Sequence, residues 1–275
     1  MSQKLSSLNN LQQRVIVGVL GAILFIGGII YSEWTYFLLF LGLALLGILE
    51  FYRLVATQGI KPHRGVGVAL GSLLYVSVFM VEKRFVAPEV LFLLPPVLFM
   101  VLVLELYRKH AQPFTNIAFT MLGALYIGVP FALLHLLGYL QGDYSWQPIL
   151  GTLLLIWASD TGAYAFGKSF GKHKLLPRVS PGKTWEGWAG GVVTSVLAAY
   201  LMSLFFQDLE LYQWIGTAIL VSVFGVLGDL VESMLKRSLG VKDSGTLLPG
   251  HGGILDRFDS LLLAIPFIVA FLKIF

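Results

Sequence analysis

The sequence predicts an all-α, polytopic integral membrane protein of about nine transmembrane helices, with its N-terminus in the cytoplasm and its C-terminus outside. Three observations carry that expectation. Of 275 residues, 57% are hydrophobic and only 12% charged, with a mean hydropathy of +0.81; a soluble domain carries roughly a quarter charged residues. The apolar residues come in runs that approach the roughly 20 residues a spanning helix needs. The Lys and Arg residues between those runs fall overwhelmingly on alternate loops, as cytoplasmic loops do.

Taken in order, the first run, 15–31, has the look of a secretory leader. It lacks a small-residue cleavage site and a second run, 34–54, follows at once, so it is read as retained. Runs at 66–81, 90–107 and 116–140 complete an N-terminal region, 1–140, of about five spans. The C-terminal region, 141–275, holds runs at 149–167, 188–206, 215–235 and 261–275, and is expected to be the catalytic part. Backbone groups in lipid must bond within their own segment, which makes these runs helices. With the N-terminus inside, sixteen of the nineteen Lys and Arg lie on the cytoplasmic side, and only Lys83, Arg84 and Lys273 lie opposite. The formal charge of +4 is thereby explained as loop topology, not as a nucleic-acid footprint. With no cysteine, disulfides are excluded and any metal must take oxygen or imidazole ligands. Gly67-x-x-x-Gly71 and Gly187-x-x-x-Gly191 permit close helix approach, a spacing too common to specify a dimer by itself.

No loop can hold an independent soluble domain, so an active site must be built from helix ends and two cytoplasmic loops, 168–187 and 238–260. Ionisable groups within spans are functional candidates by default. Asp160 shares a helical face with Trp157, Thr161 and Tyr164, a polar face expected to point inward. Asp229 shares a stripe with Gly225, Glu232, Ser233 and Lys236 that runs into the second loop. The plainer alternative is that each aspartate pairs with a nearby cation to fasten two helices. Glu50 and Glu105, beside Arg53 and Arg108, are as well explained by snorkelling ion pairs, and His135 by packing.

Loop 168–187 combines five cations with hydroxyls and glycines, which suits phosphate. Gly182-Lys183-Thr184 invites a P-loop reading, but Pro177 stands where that motif needs glycine and no parallel-sheet strand precedes it. What remains is a polyphosphate-neutralising cluster containing Ser180 and Lys183, with Thr184 and Glu186 opening the next helix, whose free N–H groups also favour anions. Loop 238–260 and its flanks carry Asp243, Asp256 and Asp259, hard oxygen ligands suited to Mg²⁺. Lys236, Arg237, Lys242 and Arg257 supply charge for phosphate oxygens. Gly252-Gly253 lets the backbone approach a ligand closely. A solvated ion-pair network is the competing explanation of these interleaved charges.

The run 233–259 resembles the defining motif of the phosphatidate cytidylyltransferases, or CDP-diacylglycerol synthases. The likeness lies in Ser233, Lys236-Arg237, Lys242-Asp243, His251-Gly252-Gly253, Asp256-Arg257 and Asp259, at the motif's spacing. The segments around Asp160-Thr161-Gly162-Ala163-Tyr164 and Ser180-Pro181-Gly182-Lys183-Thr184-Trp185-Glu186-Gly187 are similar to that family as well. Residues 1–150 are similar mainly in hydropathy.

The resemblance implies transfer of a cytidylyl group from CTP to phosphatidic acid, giving CDP-diacylglycerol and pyrophosphate in phospholipid biosynthesis at a bacterial inner membrane. It implies Mg²⁺ dependence, with a monovalent cation such as K⁺ beside it, and a homodimer. Asp229 and Asp256 are expected to be the principal metal ligands, with Asp160, Asp243 and Asp259 as further ligands or organisers. Lys183, Lys236, Arg237, Lys242 and Arg257 are assigned to phosphates, and Ser180, Thr184, Glu186, Ser233, Gly252 and Gly253 to the substrate site. His251 either donates to pyrophosphate or shapes the glycine turn. Replacing Asp229 or Asp256 with Asn is expected to abolish turnover and leave the protein folded. Two other activities fit a multi-span chain with buried carboxylates: an ion-coupled transporter, for which no repeated halves are visible, and a CTP-dependent lipid kinase, which would release CDP instead of pyrophosphate.

Overall fold

The computed structural model describes residues 10–245 and 252–275, and among them helix covers every one of the nine apolar runs. The rods are α1 (Asn10–Tyr31), α2 (Glu33–Ala56), α3 (Arg64–Glu82), a 3₁₀ segment (Pro88–Leu93) leading into α4 (Leu94–Leu106), α5 (Pro113–Gly138), α6 (Gln147–Phe170) and α7 (Trp185–Ser203). Then α8 (Leu211–Leu220) continues through a π turn (Val221–Gly225) into α9 (Val226–Ser238), and α10 (Leu255–Ile274) ends the chain. Proline stands in the first turn of α4, α5 and α6, where its missing N–H costs nothing. Ser32 breaks α1 from α2 and caps the latter by accepting from the Trp34 N–H at 3.2 Å.

Six of these rods are long and apolar enough to cross a membrane: Glu33–Ala56, Arg64–Glu82, Pro88–Leu106, Pro113–Gly138, Gln147–Phe170 and Leu211–Ser238. The segment Gly21–Tyr31 is apolar but short as described. The helix α7 opens on a polar, glycine-rich turn, and α10 carries Asp256, Arg257, Asp259 and Lys273, which dilutes the apolar signal of both. Among the described residues, a β-hairpin departs from the all-α expectation. Within the 168–187 segment, β1 (Lys174–Leu176) and β2 (Ser180–Thr184) form an antiparallel hairpin, pairing Lys174 with Thr184 and Leu176 with Ser180.

The core is aromatic, with Tyr36, Phe40, Phe51, Tyr52, Tyr75, Phe79 and Phe131 all buried. His135 sits among the rings of Tyr36, Phe37, Tyr75 and Phe79, so its packing role holds. Neither of its ring nitrogens has a hydrogen-bond partner among the described residues. Glu105 pairs with Arg108 at 2.9 Å, as an ion pair near a helix end should. The three minority cations gather at one end of the molecule: Lys83 pairs with Glu33, which also accepts from the Tyr139 hydroxyl at 2.7 Å, and Glu82 feels the charges of Lys273 and Arg84.

Both glycine motifs serve packing within the chain. A Cβ on Gly67 would collide with the Tyr52 hydroxyl, and one on Gly191 would lie 2.8 Å from the Ser159 carbonyl of α6. A backbone oxygen cannot swing aside as a side-chain tip can. Gly191→Val is therefore expected to lower stability by about 1–3 kcal/mol through overpacking, read as a lower melting temperature in detergent. Gly42→Val, where nothing lies within 4 Å, should shift it far less.

Candidate active site

A cavity of about 490 Å³ opens between α6, the hairpin, the first turns of α7 and the start of α9. Its polar lining is Asp160, Lys168, Lys183, Thr184 and Asp229, and Tyr164 and Trp188 add aromatic walls. The hairpin brings Lys183 there. It turns at 177–179, where the Val179 N–H reaches the Leu176 carbonyl at 3.2 Å, and Thr184 then caps α7 by accepting from the Gly187 N–H at 3.1 Å. Glu186 clasps the hairpin's other edge: it accepts from the Lys172 and His173 N–H groups and pairs with the His173 ring at 2.6 Å. Its own backbone N–H, then the His173 ring and these neighbouring N–H groups, hold its carboxyl at about 2. It is thus ionised across the physiological range, and the clasp weakens only as pH falls below the ordinary glutamate range toward that value.

Asp229 lines the cavity from the first turn of α9, directly after the π turn that joins it to α8. Three hydroxyls, from Ser159 on α6, Ser195 on α7 and Ser222 in the π turn, bond to one another there, and the Trp188 indole donates to the Ser222 carbonyl at 2.9 Å. These bonds tie α6 and α7 to the π turn that precedes α9. Asp229 pairs with Lys183 at 2.5 Å and accepts from Ser233 at 3.2 Å. Asp160 and Asp259 stand close enough to feel the charges of Asp229 and Lys183. Three carboxylates and one partnered lysine thus share this region.

A second cluster lies next to it at the N-terminus of α10. Lys236 bridges Glu232 at 2.5 Å and Asp256 at 2.6 Å. Asp256 also accepts from the Gly253 N–H at 3.0 Å and the Ser244 N–H at 3.1 Å, and the Ser244 hydroxyl oxygen lies 2.9 Å from it. Ser244 in turn donates toward Glu50 of α2, which accepts from the Ile254 and Leu255 N–H groups at 2.9 and 3.1 Å.

The structure brings together Asp160, Lys183, Thr184 and Asp229 at the cavity, with Asp259 beside them, and ties Asp256 to Lys236 in the adjoining cluster. It does not gather all five aspartates: Asp243, like Lys242, is exposed in the connecting segment. Lys236 is saturated by two carboxylates, so a phosphate would have to displace them. Arg237 is exposed and donates to the Val241 carbonyl at 3.4 Å, Ser180 anchors the hairpin register, and Arg257 is exposed on the first turn of α10. His251 lies outside the described residues.

Three expectations need correction. The face of Trp157, Thr161 and Tyr164 does not pack inward: Trp157 is 44% and Tyr164 70% exposed, and Asp160 opens on the cavity. The buried face of α6 is that of Thr152, Leu155, Ile156, Ser159 and Gly162, because the glycine-rich α7 packs there. Glu50 does not pair with Arg53; it caps α10. Gly253 is small for a different reason than ligand approach, since a Cβ there would lie 2.1 Å from both Glu50 Oε1 and Ser244 Oγ. Gly252 adopts φ 83°, a left-handed conformation that favours glycine. Sequence reasoning counted Lys168 only among the loop's five cations and left Glu50 between function and an ion pair, assigning neither to the site; the cavity lining singles out the first, and long-range hydrogen bonds the second.

Asp160, Asp229 and Asp259 supply the hard oxygen donors that Mg²⁺ accepts, though no three Asp, Glu or His side chains among the described residues converge at ligand spacing. Comparison with known proteins supplies the family. The cytidylyltransferase family profile matches residues 12–275. A Bacillus subtilis (strain 168) protein named phosphatidate cytidylyltransferase is 36% identical over 270 residues, covering 97% of this chain and 99% of its own length. Proteins of the same name from Staphylococcus aureus (strain COL) and Staphylococcus haemolyticus (strain JCSC1435) are 45% identical over 170 residues, or 61% of this chain and 64% of theirs. The match runs across the hairpin, the Asp229 helix and the Asp256 cluster alike, and the chain belongs to the cytidylyltransferase family, as a membrane nucleotidyltransferase.

Proposed function

We propose that this protein transfers the cytidylyl group of CTP to phosphatidic acid, releasing pyrophosphate and forming CDP-diacylglycerol. The observation that carries the reading is the cavity itself: it joins the phosphate-suited cation Lys183 to the carboxylates Asp160 and Asp229, both within apolar rods. A lipid phosphate there keeps its acyl chains among the spans while CTP enters from the loop side. A phosphate oxygen of the lipid attacks the α-phosphorus of CTP, the bond to pyrophosphate breaks, and the nucleophile is already anionic, so the work is alignment and charge neutralisation.

Lys183 and Lys168 orient phosphates in the cavity, and Arg257, Arg237 and Lys242 extend the cationic surface beside it. Asp160, Asp229 and Asp259 would hold Mg²⁺, with K⁺ as a second ion; when bound, Mg²⁺ supplies charge neutralisation at phosphate oxygens. Asp256 and Lys236 keep the second cluster in register with the first. The nine-span, N-in and C-out topology belongs to the same proposal, supported by the one-sided cation distribution, and it puts the cavity at the cytoplasmic face of a bacterial inner membrane. A homodimer is part of it too, through surfaces other than the two internal glycine motifs.

The deciding experiment incubates purified protein with labelled CTP, phosphatidic acid and Mg²⁺. Label in the lipid product together with free pyrophosphate is expected. Release of CDP with a phosphorylated lipid would mean a kinase and overturn the reading.

A further inference from the structure

We infer that Glu50, on α2 and outside both loops, is a positioning residue for the reaction: it sets the first turn of α10 and through Ser244 the placement of Asp256 beside the cavity. Glu50 is only 4% exposed, and a buried carboxylate is tolerated only when fully hydrogen-bonded or paired. Among the described residues no Lys or Arg forms an ion pair with it; its partners are the Ser244 hydroxyl and the N–H groups of Ile254 and Leu255. Those two N–H groups are among the donors a helix start leaves unsatisfied, and a negative charge is favoured there by the helix dipole.

The second acceptor at this helix end is Asp256 itself, which takes the Gly253 N–H at 3.0 Å. The two carboxylates share the start of α10, with Ser244 Oγ within hydrogen-bonding distance of both. A serine has one hydroxyl proton, so its donation to Glu50 leaves Asp256 to the Ser244 N–H, Gly253 and Lys236, and the two acids are coupled through that one side chain. The space leaves no slack: a Cβ on Gly253 would overlap Glu50 and Ser244. Glu50 thus fixes the angle at which α10 enters, and Asp256 and Asp259 ride on that turn.

This rests on the reading of the cavity as the cytidylyl-transfer site, so the test has one readout that depends on it and one that does not. Glu50→Gln keeps the shape but puts an amide NH₂ where N–H donors converge. Backbone hydrogen exchange in detergent should speed up about tenfold or more in peptides covering 252–260 and stay unchanged in those covering α6 and α7. Turnover per folded molecule should fall about 10- to 100-fold, the scale seen when a residue that orients a site group is lost, with the KM for phosphatidic acid within about twofold. Ser244→Ala should give the same pattern more weakly, and the double variant should lose less than the sum of both in free energy. Should Glu50→Gln not fold, Ser244→Ala and Glu50→Asp carry the same two readouts. Unchanged exchange at 252–260 overturns the inference, as do turnover within twofold of the parent and simple additivity of the two substitutions. Inactivity of the parent protein toward CTP and phosphatidic acid would instead refute the activity, and the exchange readout would still decide whether Glu50 positions α10.

Discussion

Asp229→Asn is expected to cut cytidylyl transfer by roughly 10²–10³-fold, the usual cost of removing one charged or dipolar group aimed at a transferring phosphoryl centre. Asp229 is half-buried at the cavity mouth, so an amide of the same size fits without steric cost. The substitution leaves Lys183 unpaired at 24% exposure, close enough to solvent for its charge to be hydrated, so the fold should survive. The expected signature is a near-parental melting temperature with turnover lost at every Mg²⁺ concentration. Lys183→Met provides the complement, with loss of turnover and weaker CTP binding. Turnover within threefold of the parent in Asp229→Asn would remove Asp229 from the reacting centre.

Asp256→Asn should behave differently, losing both turnover and stability. Its carboxylate is the hub of three donors, Lys236 and the N–H groups of Gly253 and Ser244, with the Ser244 hydroxyl oxygen also within 2.9 Å, and its side chain is only 16% exposed. An amide can accept from some of them but must turn its NH₂ toward the rest, and Lys236 is left to Glu232 alone. Hydrogen bonds to charged groups are worth about 1.5–3 kcal/mol each and broken buried pairs about 3–5 kcal/mol; partial exposure places the expected loss near the lower range, about 2–3 kcal/mol. Melting in detergent should therefore fall by several degrees, with turnover reduced about 100-fold even when normalised to folded protein. This differs from the expectation drawn from sequence, in which both aspartate variants stay equally folded. The difference arises because Asp229 has one ion-pair partner on the edge of a cavity, and Asp256 is built into a helix start.

Much of the architecture was legible before any contact was known. Helix covers the nine apolar runs, and among the described residues six helices are long and apolar enough to cross a membrane, because such segments are marked by composition and length, properties carried by each stretch alone. The motif residues Lys236, Asp256 and Asp259 were legible as a group because they are close in the chain. The hairpin at 174–184 was not, since five scattered cations obscure any strand alternation and its pairing depends on the Glu186 clasp. The facing of α6 was missed for a related reason: polarity suggested an inward face, but the glycine faces of α6 and α7 approach more closely than any larger residues allow.

The sequence by itself determined the membrane class, the one-sided distribution of charge and the phosphate-and-carboxylate chemistry of two loops, because each of these is written in local composition and spacing. Only the tertiary structure decided that Lys183 meets Asp229, that Lys236 is spoken for by two carboxylates, and that Glu50 holds residues 254 and 255 from the far side of the chain. Apart from the Glu232–Lys236 pair, one turn apart on α9, those pairings join positions from 20 to about 200 residues apart, and a buried charge takes whichever donors the packed helices bring to it.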